Sequence, residues 1–199
     1  MKIRVLCACL FICVFAYSQE SDSKLAFYSI SFSPINIYFD HHTSGLAASL
    51  DISLKKDKDI YKLFGLTGSE FVVSVLGPSK VESFHEIDIL YGKELREGKW
   101  LYFDFYSGLS YFSHTINTPE KIPGSGTNSG GFSFTTYEYS YNEDKNNTIG
   151  LVLQSNIRFR TGKRFSMGLQ FHSNINTVNT IFSTGLLLHW KLGRKSKLD

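Results

Sequence analysis

The chain has 199 residues, of which 42% are apolar, 20% charged and 15% aromatic, too apolar for disorder and too polar for a bundle of membrane helices. The formal charge is +3; without Lys2 and Arg4, which lie in a segment read below as cleaved, 19 basic residues face 18 acidic ones. That balance gives no reason to expect nucleic acid as a partner, and the aromatic excess favours strands.

Residues 1–18 read as an export signal. Lys2 and Arg4 precede an apolar run from Val5 to Tyr17, and Ala16-Tyr17-Ser18 places small residues at the positions a signal peptidase reads. The run is shorter than the roughly 20 residues a spanning helix needs. Cys7, Cys9 and Cys13 all lie inside it, so the mature chain carries no disulfide framework and no thiolate site.

From residue 25 onward the hydrophobic period is two. Side chains alternate across a strand, so such a segment has one apolar and one polar face. The first strand, 25–39, changes phase at Pro34, which reads as a bulge. In 45–55, Leu46, Ala48, Leu50, Ile52 and Leu54 oppose Ala47, Ser49, Asp51, Ser53 and Lys55. The strand at 60–76 is ambiguous in phase because Gly65 and Gly68 interrupt it. In 84–95, Ile87, Ile89 and Tyr91 oppose Glu86, Asp88, Gly92 and Glu94; in 99–113, Leu101, Phe103, Phe105, Leu109 and Tyr111 oppose Tyr102, Asp104, Tyr106, Gly108 and Ser110. In 145–160, Ile149, Leu151, Leu153, Ile157 and Phe159 oppose Gly150, Val152, Gln154, Asn156, Arg158 and Arg160. Strands at 164–174 and 181–193 complete a set of eight.

Short charged turns (56–59, 96–98, 161–163) alternate with the generally longer connections 40–44, 77–83, 114–144 and 175–180. This is the outer-membrane barrel pattern, with both termini on the short-turn, periplasmic side. A soluble barrel would bury the same apolar faces inward. The membrane reading is favoured by mixed charge on the polar faces, by apolar faces about ten residues long, and by Tyr61, Tyr91, Tyr111 and Trp190 near strand ends. Tyr137, Tyr139 and Tyr141 alternate with Glu138 and Ser140, which reads as an extension of the sixth strand above the membrane or as a loop ribbon.

Several stretches, among them Glu86-Ile87-Asp88-Ile89-Leu90-Tyr91-Gly92, Tyr106-Ser107-Gly108-Leu109-Ser110-Tyr111 and Thr148-Ile149-Gly150-Leu151, resemble the small porin-like outer-membrane β-barrel proteins of Gram-negative bacteria. The resemblance covers most of 25–193 and implies a surface-exposed barrel with no shared catalytic residues. The expected architecture is an all-β, eight-stranded antiparallel up-and-down transmembrane barrel (25–193), preceded by the signal (1–18) and a short periplasmic segment (19–24) and followed by a basic tail (194–199). The tail departs from the aromatic end that the assembly machinery commonly reads.

Glu86, Asp88, Asp104, Arg158 and Arg160 are the expected lumen charge network, since buried charges must pair. Glu86 and Asp88 also have the same-face spacing of an acid–base pair, although a structural network accounts for them. His172-Ser173-Asn174 invites comparison with lipid A deacylases, but adjacent strand residues point to opposite faces, so the histidine cannot activate that serine. The glycine-rich 124–131 lacks a phosphate-loop ending, His41-His42 lacks a third metal ligand nearby, and Lys191, Arg194, Lys195 and Lys197 read as a solvated end.

No cofactor or metal is expected. The leading expectation is a non-enzymatic barrel that displays loops, with Tyr137, Tyr139 and Tyr141 as surface contacts. Its expected partners are outer-membrane lipid and lipopolysaccharide, the barrel assembly machinery, and an extracellular ligand the sequence does not name. A narrow solute channel is the alternative, because Gly92, Gly108, Gly150, Gly168 and Gly185 remove lumen filling; a lipid A-modifying enzyme is disfavoured.

Overall fold

A strand leaves backbone donors and acceptors along both edges, and here the strands satisfy them by closing into a ring. The computed structural model describes residues 25–41, 43–71, 79–123 and 137–192. The expected signal and the segment at 19–24, the glycine-rich 124–131 and the tail at 194–199 lie outside the described residues. Eight strands form a closed antiparallel barrel in sequence order: β1 (Ala26–Phe39), β2 (Ser44–Lys56), β3 (Asp59–Glu70), β4 (Val81–Glu97), β5 (Leu101–Pro123), β6 (Tyr137–Arg160), β7 (Phe165–Ile175) and β8 (Ile181–Lys191). β8 pairs back onto β1, so the wall itself has no free edge.

The barrel is inside-out. Ser49, Asp51, Glu86, Asp88, Asp104, Gln154, Arg158, Gln170 and His172 are buried in the lumen, while Leu50, Leu63, Ile89, Leu109, Leu153 and Leu169 stand exposed on the outer wall. An apolar wall of this kind is stable against hydrocarbon and unfavourable against water. Aromatic pairs ring the short-turn end: Tyr61 with Tyr91 (5.5 Å between ring centroids), Trp100 with Phe159 (5.6 Å) and Phe165 with Trp190 (4.5 Å). Amphipathic rings favour that headgroup level.

The phase change in β1 is a bulge. Pairing to β2 shifts register between Ser33 and Asn36, so Ser29, Ser31 and Ser33 face inward before it and Asn36 and Tyr38 after it. Ser33 Oγ donates to Asn36 Oδ1 at 2.8 Å, holding the bulge together. On β3 the inward residues are Ile60, Lys62, Phe64 and Leu66. Both faces of that strand are largely apolar, which is why alternation there is faint.

The largest differences from the expected strand boundaries fall on β5 and β6. β5 runs to Pro123 rather than residue 113, and β6 begins at Tyr137 rather than 145, so most of the expected loop 114–144 is paired strand. Beyond the membrane a ribbon needs no apolar face, so period two in hydrophobicity fades while hydrogen-bonded pairing continues. The 137–141 segment extends β6 and adds no ninth strand. β3 is described from Asp59 to Glu70, and 72–76 of the expected strand lie outside the described residues.

Candidate functional site

Three features are candidates: the polar lumen, the β5–β6 ribbon and the rim beside it. At the short-turn end of the lumen, Arg158 is fully buried. Its Nε and Nη2 donate to Asp104 Oδ2 and Oδ1 at 2.6 and 2.7 Å, and Nη2 also donates to Glu94 Oε2 at 2.6 Å. Fork-to-carboxylate geometry of this kind gives strong, directional pairing. Glu94 also accepts from Tyr28 Oη at 2.5 Å and Lys191 Nζ at 3.4 Å. One layer up, Lys62 Nζ donates to Asp51 at 3.3 Å and lies 4.0 Å from the Tyr106 ring centroid. In mid-lumen, Glu86 and His172 meet across the barrel at 3.1 Å, and His172 stacks on Phe64 with 5.0 Å between rings. At the far rim, His114 and Lys80 contact Glu82 at 3.2 and 2.6 Å, and Asn179 donates to Asp40 at 2.8 Å.

The five residues expected as one lumen network are therefore separated. Asp104 and Arg158 pair directly, with Glu94 as a third member. Glu86 and Asp88 lie higher and have no Lys or Arg partner among the described residues. Arg160 is not in the lumen: it is exposed at the end of β6, with Nε donating to the Gly162 carbonyl at 3.1 Å. The alternation places it inward only if the wall continues, and the turn begins there instead. From the sequence, Glu94 and Asp51 fall on the polar face without an assigned partner, Lys191 reads as part of a solvated end, and Lys62 has no assigned face.

The lumen is filled. Tyr38, Phe64, Phe84, Tyr106, Phe112 and Val152 pack together as its core. All five glycines expected to open the lumen (Gly92, Gly108, Gly150, Gly168 and Gly185) are close approaches instead. A side chain at Gly185 would overlap the Asn36 amide, and one at Gly150 would overlap the Asn174 amide, which donates to Ser110 Oγ at 2.8 Å. A hollow of about 800 Å³ is lined by outer-wall Phe39, Phe105, Leu153, Phe171 and Phe182 together with inward-facing Tyr106, Gln154 and His172. His172 points into the lumen, whereas Ser173 pairs in the row of outward-facing Leu153 and Phe182.

The ribbon is the largest departure from a simple barrel. β4 stops pairing at Val81 opposite Asn117, and β7 stops at Ile175 opposite Leu151. Beyond those points 118–123 pair with 137–142 alone, while 143–150 pair with 110–117 of β5 and have no β7 partner. At about 3.3 Å per residue, 118–123 alone rises roughly 20 Å past β4. Tyr139 and Tyr141 are exposed there. Tyr137 begins β6 opposite Pro123, and its side chain lies outside the described residues.

No family model matches the sequence, and no curated protein matches it. Solved structures do. Neisserial surface protein A (NspA) superposes with a TM-score of 0.58 at 10% identity, over 83% of this chain and 97% of that one. Ail, the attachment invasion locus protein of Yersinia pestis, superposes with a TM-score of 0.50 at 10% identity, over 83% of this chain and 95% of that one. At that identity the likeness concerns architecture, and it agrees with the strand count, the up-and-down order and the closed ring. The chain therefore has the fold of the small eight-stranded outer-membrane β-barrels.

Proposed function

We propose that this protein is an integral outer-membrane barrel that presents the β5–β6 ribbon at the cell surface as a recognition element and performs no chemistry itself. Residues 1–18 direct export, the barrel assembly machinery inserts the strands, and both termini face the periplasm. The apolar wall contacts lipid and, in the outer leaflet, lipopolysaccharide.

The observation that carries the reading is the ribbon. A barrel built only to span would stop near Asn117 and Leu151, yet these two strands continue as a paired extension. Ordering such a segment in water is costly unless it serves contact. Exposed Tyr139 and Tyr141 provide rigid contact area at low entropic cost. Pro119 and Pro123 blunt the β5 edge, whereas 137–150 contains no proline and offers backbone donors and acceptors to an extracellular segment. NspA is described as a surface protein and Ail as an attachment invasion locus protein, which accords with a surface role. The packed lumen argues against a solute channel, and the opposite facing of His172 and Ser173 against a lipid-modifying enzyme.

Trypsin added to intact cells tests the topology. Cleavage at Lys121 or Lys145, leaving a protease-resistant barrel, is the expected outcome. Protection in intact cells, with cleavage only after the periplasm is opened, would place the ribbon on the other side.

A further inference from the structure

We propose that Glu86, Asp88 and His172 form a binding site for one divalent transition-metal ion, with zinc as the best match to the donors, tying β4 to β7 across the lumen. Glu86 and Asp88 are two apart on β4 and so share its inward face; His172 projects from β7 on the facing wall. One donor atom from each of the three lies within 4.8 Å of the others. Donors of a shared zinc ion stand about 3–4 Å apart, so small torsional changes in the two carboxylates close the set.

A cluster of acids is not itself a site; the bonding of these three residues is what distinguishes them. All are buried: Glu86 is 2% exposed, Asp88 0% and His172 3%. No protein N–H or hydroxyl donates to either carboxylate oxygen of Asp88 or to Glu86 Oε2 at hydrogen-bond geometry, and His172 Nδ1 has no partner; the two carboxyl groups lie against each other, with Asn174 beside Glu86. The other deeply buried acids are neutralised by a base at close range, Asp51 by Lys62 and Asp104 by Arg158. Two buried carboxylates that face a single imidazole, with no Lys or Arg beside them among the described residues, are costly. A divalent ion supplies the missing two positive charges and takes up the idle lone pairs. An imidazole with two carboxylates suits zinc over magnesium or calcium, which prefer all-oxygen sets. Three protein ligands leave a fourth position for water, and Phe64 stacked on His172 fixes the ring.

The alternative for the same geometry is a proton shared between the two carboxyls. The test uses untagged, full-length barrel, stripped with chelator and refolded in detergent with zinc or magnesium chloride. Retained metal is counted by mass spectrometry after gel filtration. The expected result is one zinc and no magnesium per chain, with zinc retention falling at least tenfold in Asp88→Asn and in His172→Gln. His189→Gln, which alters a buried histidine bonded to Ser31 rather than to an acid, should retain zinc as wild type does. Should either ligand variant fail to fold, cobalt(II) absorption of the wild-type barrel decides: intense visible bands of a low-symmetry nitrogen–oxygen site support the proposal, and their absence overturns it. Wild-type protein that retains no stoichiometric zinc, or ligand variants that retain as much, would also overturn it. Zinc-free wild type with an Asp88→Asn variant more heat-resistant than it would assign the shared proton instead.

Discussion

Leu153→Arg probes the orientation of the wall. Leu153 is 57% exposed, which in water would make a charge harmless. Its height can be worked out from the aromatic ring at the short-turn end. Phe159, on the same face of β6, stacks with Trp100 and marks that boundary. Six residues separate it from Leu153, about 20 Å along the strand, or roughly 14 Å along the membrane normal at a tilt of about 45°. In an apolar band about 25 Å tall that is the midplane, where Arg costs about 2–4 kcal/mol. Tyr141 is a matched control at 59% exposure, on the ribbon above the band. Tyr141→Arg should change stability by less than about 0.5 kcal/mol. Urea titrations of folding into lipid vesicles, followed by tryptophan fluorescence, read both. Equal, small effects would refute the lipid-facing assignment, because a wall in water does not distinguish the two positions.

Arg158→Met leaves Asp104 buried without a cation and should cost about 3–5 kcal/mol in the same titration, with much of the loss recovered when Asp104→Asn is added. Gly185→Ala forces a methyl group against the Asn36 amide at the bulge and should destabilise by about 1–3 kcal/mol, whereas Gly162→Ala, whose added carbon would sit 3.7 Å from its nearest neighbour, should be within about 0.5 kcal/mol of wild type. Replacing both exposed ribbon tyrosines (Tyr139→Ser with Tyr141→Ser) should leave a barrel whose gel mobility still shifts on heating while abolishing adhesion to any surface that wild-type cells bind; unchanged adhesion would show that the ribbon is not the contact surface.

The strands were legible in the sequence wherever lipid faces one side and polar lumen the other. Leu151, Leu153, Gln154 and Asn156 announce their faces, and the odd-to-even switch across Pro34 announces the bulge. β3 was obscure because Phe64 and Leu66 fill the lumen opposite outward Leu63, leaving no polar face to contrast. The ribbon was half legible: tyrosine alternation marked 137–141, but with water on both sides nothing in hydropathy showed that β5 runs on to Pro123 to meet it. Lumen pairing divides in the same way. Asp104 and Arg158 lie on adjacent strands, near enough in register for the sequence to suggest them. Glu86 and His172 meet across three strand intervals, and only barrel closure fixes that contact. Arg160 was misplaced by extending alternation one residue past the end of the wall.

Whether the apolar wall sits in the outer membrane around a packed polar lumen is decided by fractionating cells and running the protein unheated and boiled on one gel. Recovery in the outer-membrane fraction, resistance to carbonate extraction and a mobility that shifts on boiling are expected. A soluble protein in the periplasm or medium, with the same mobility before and after boiling, would contradict that placement.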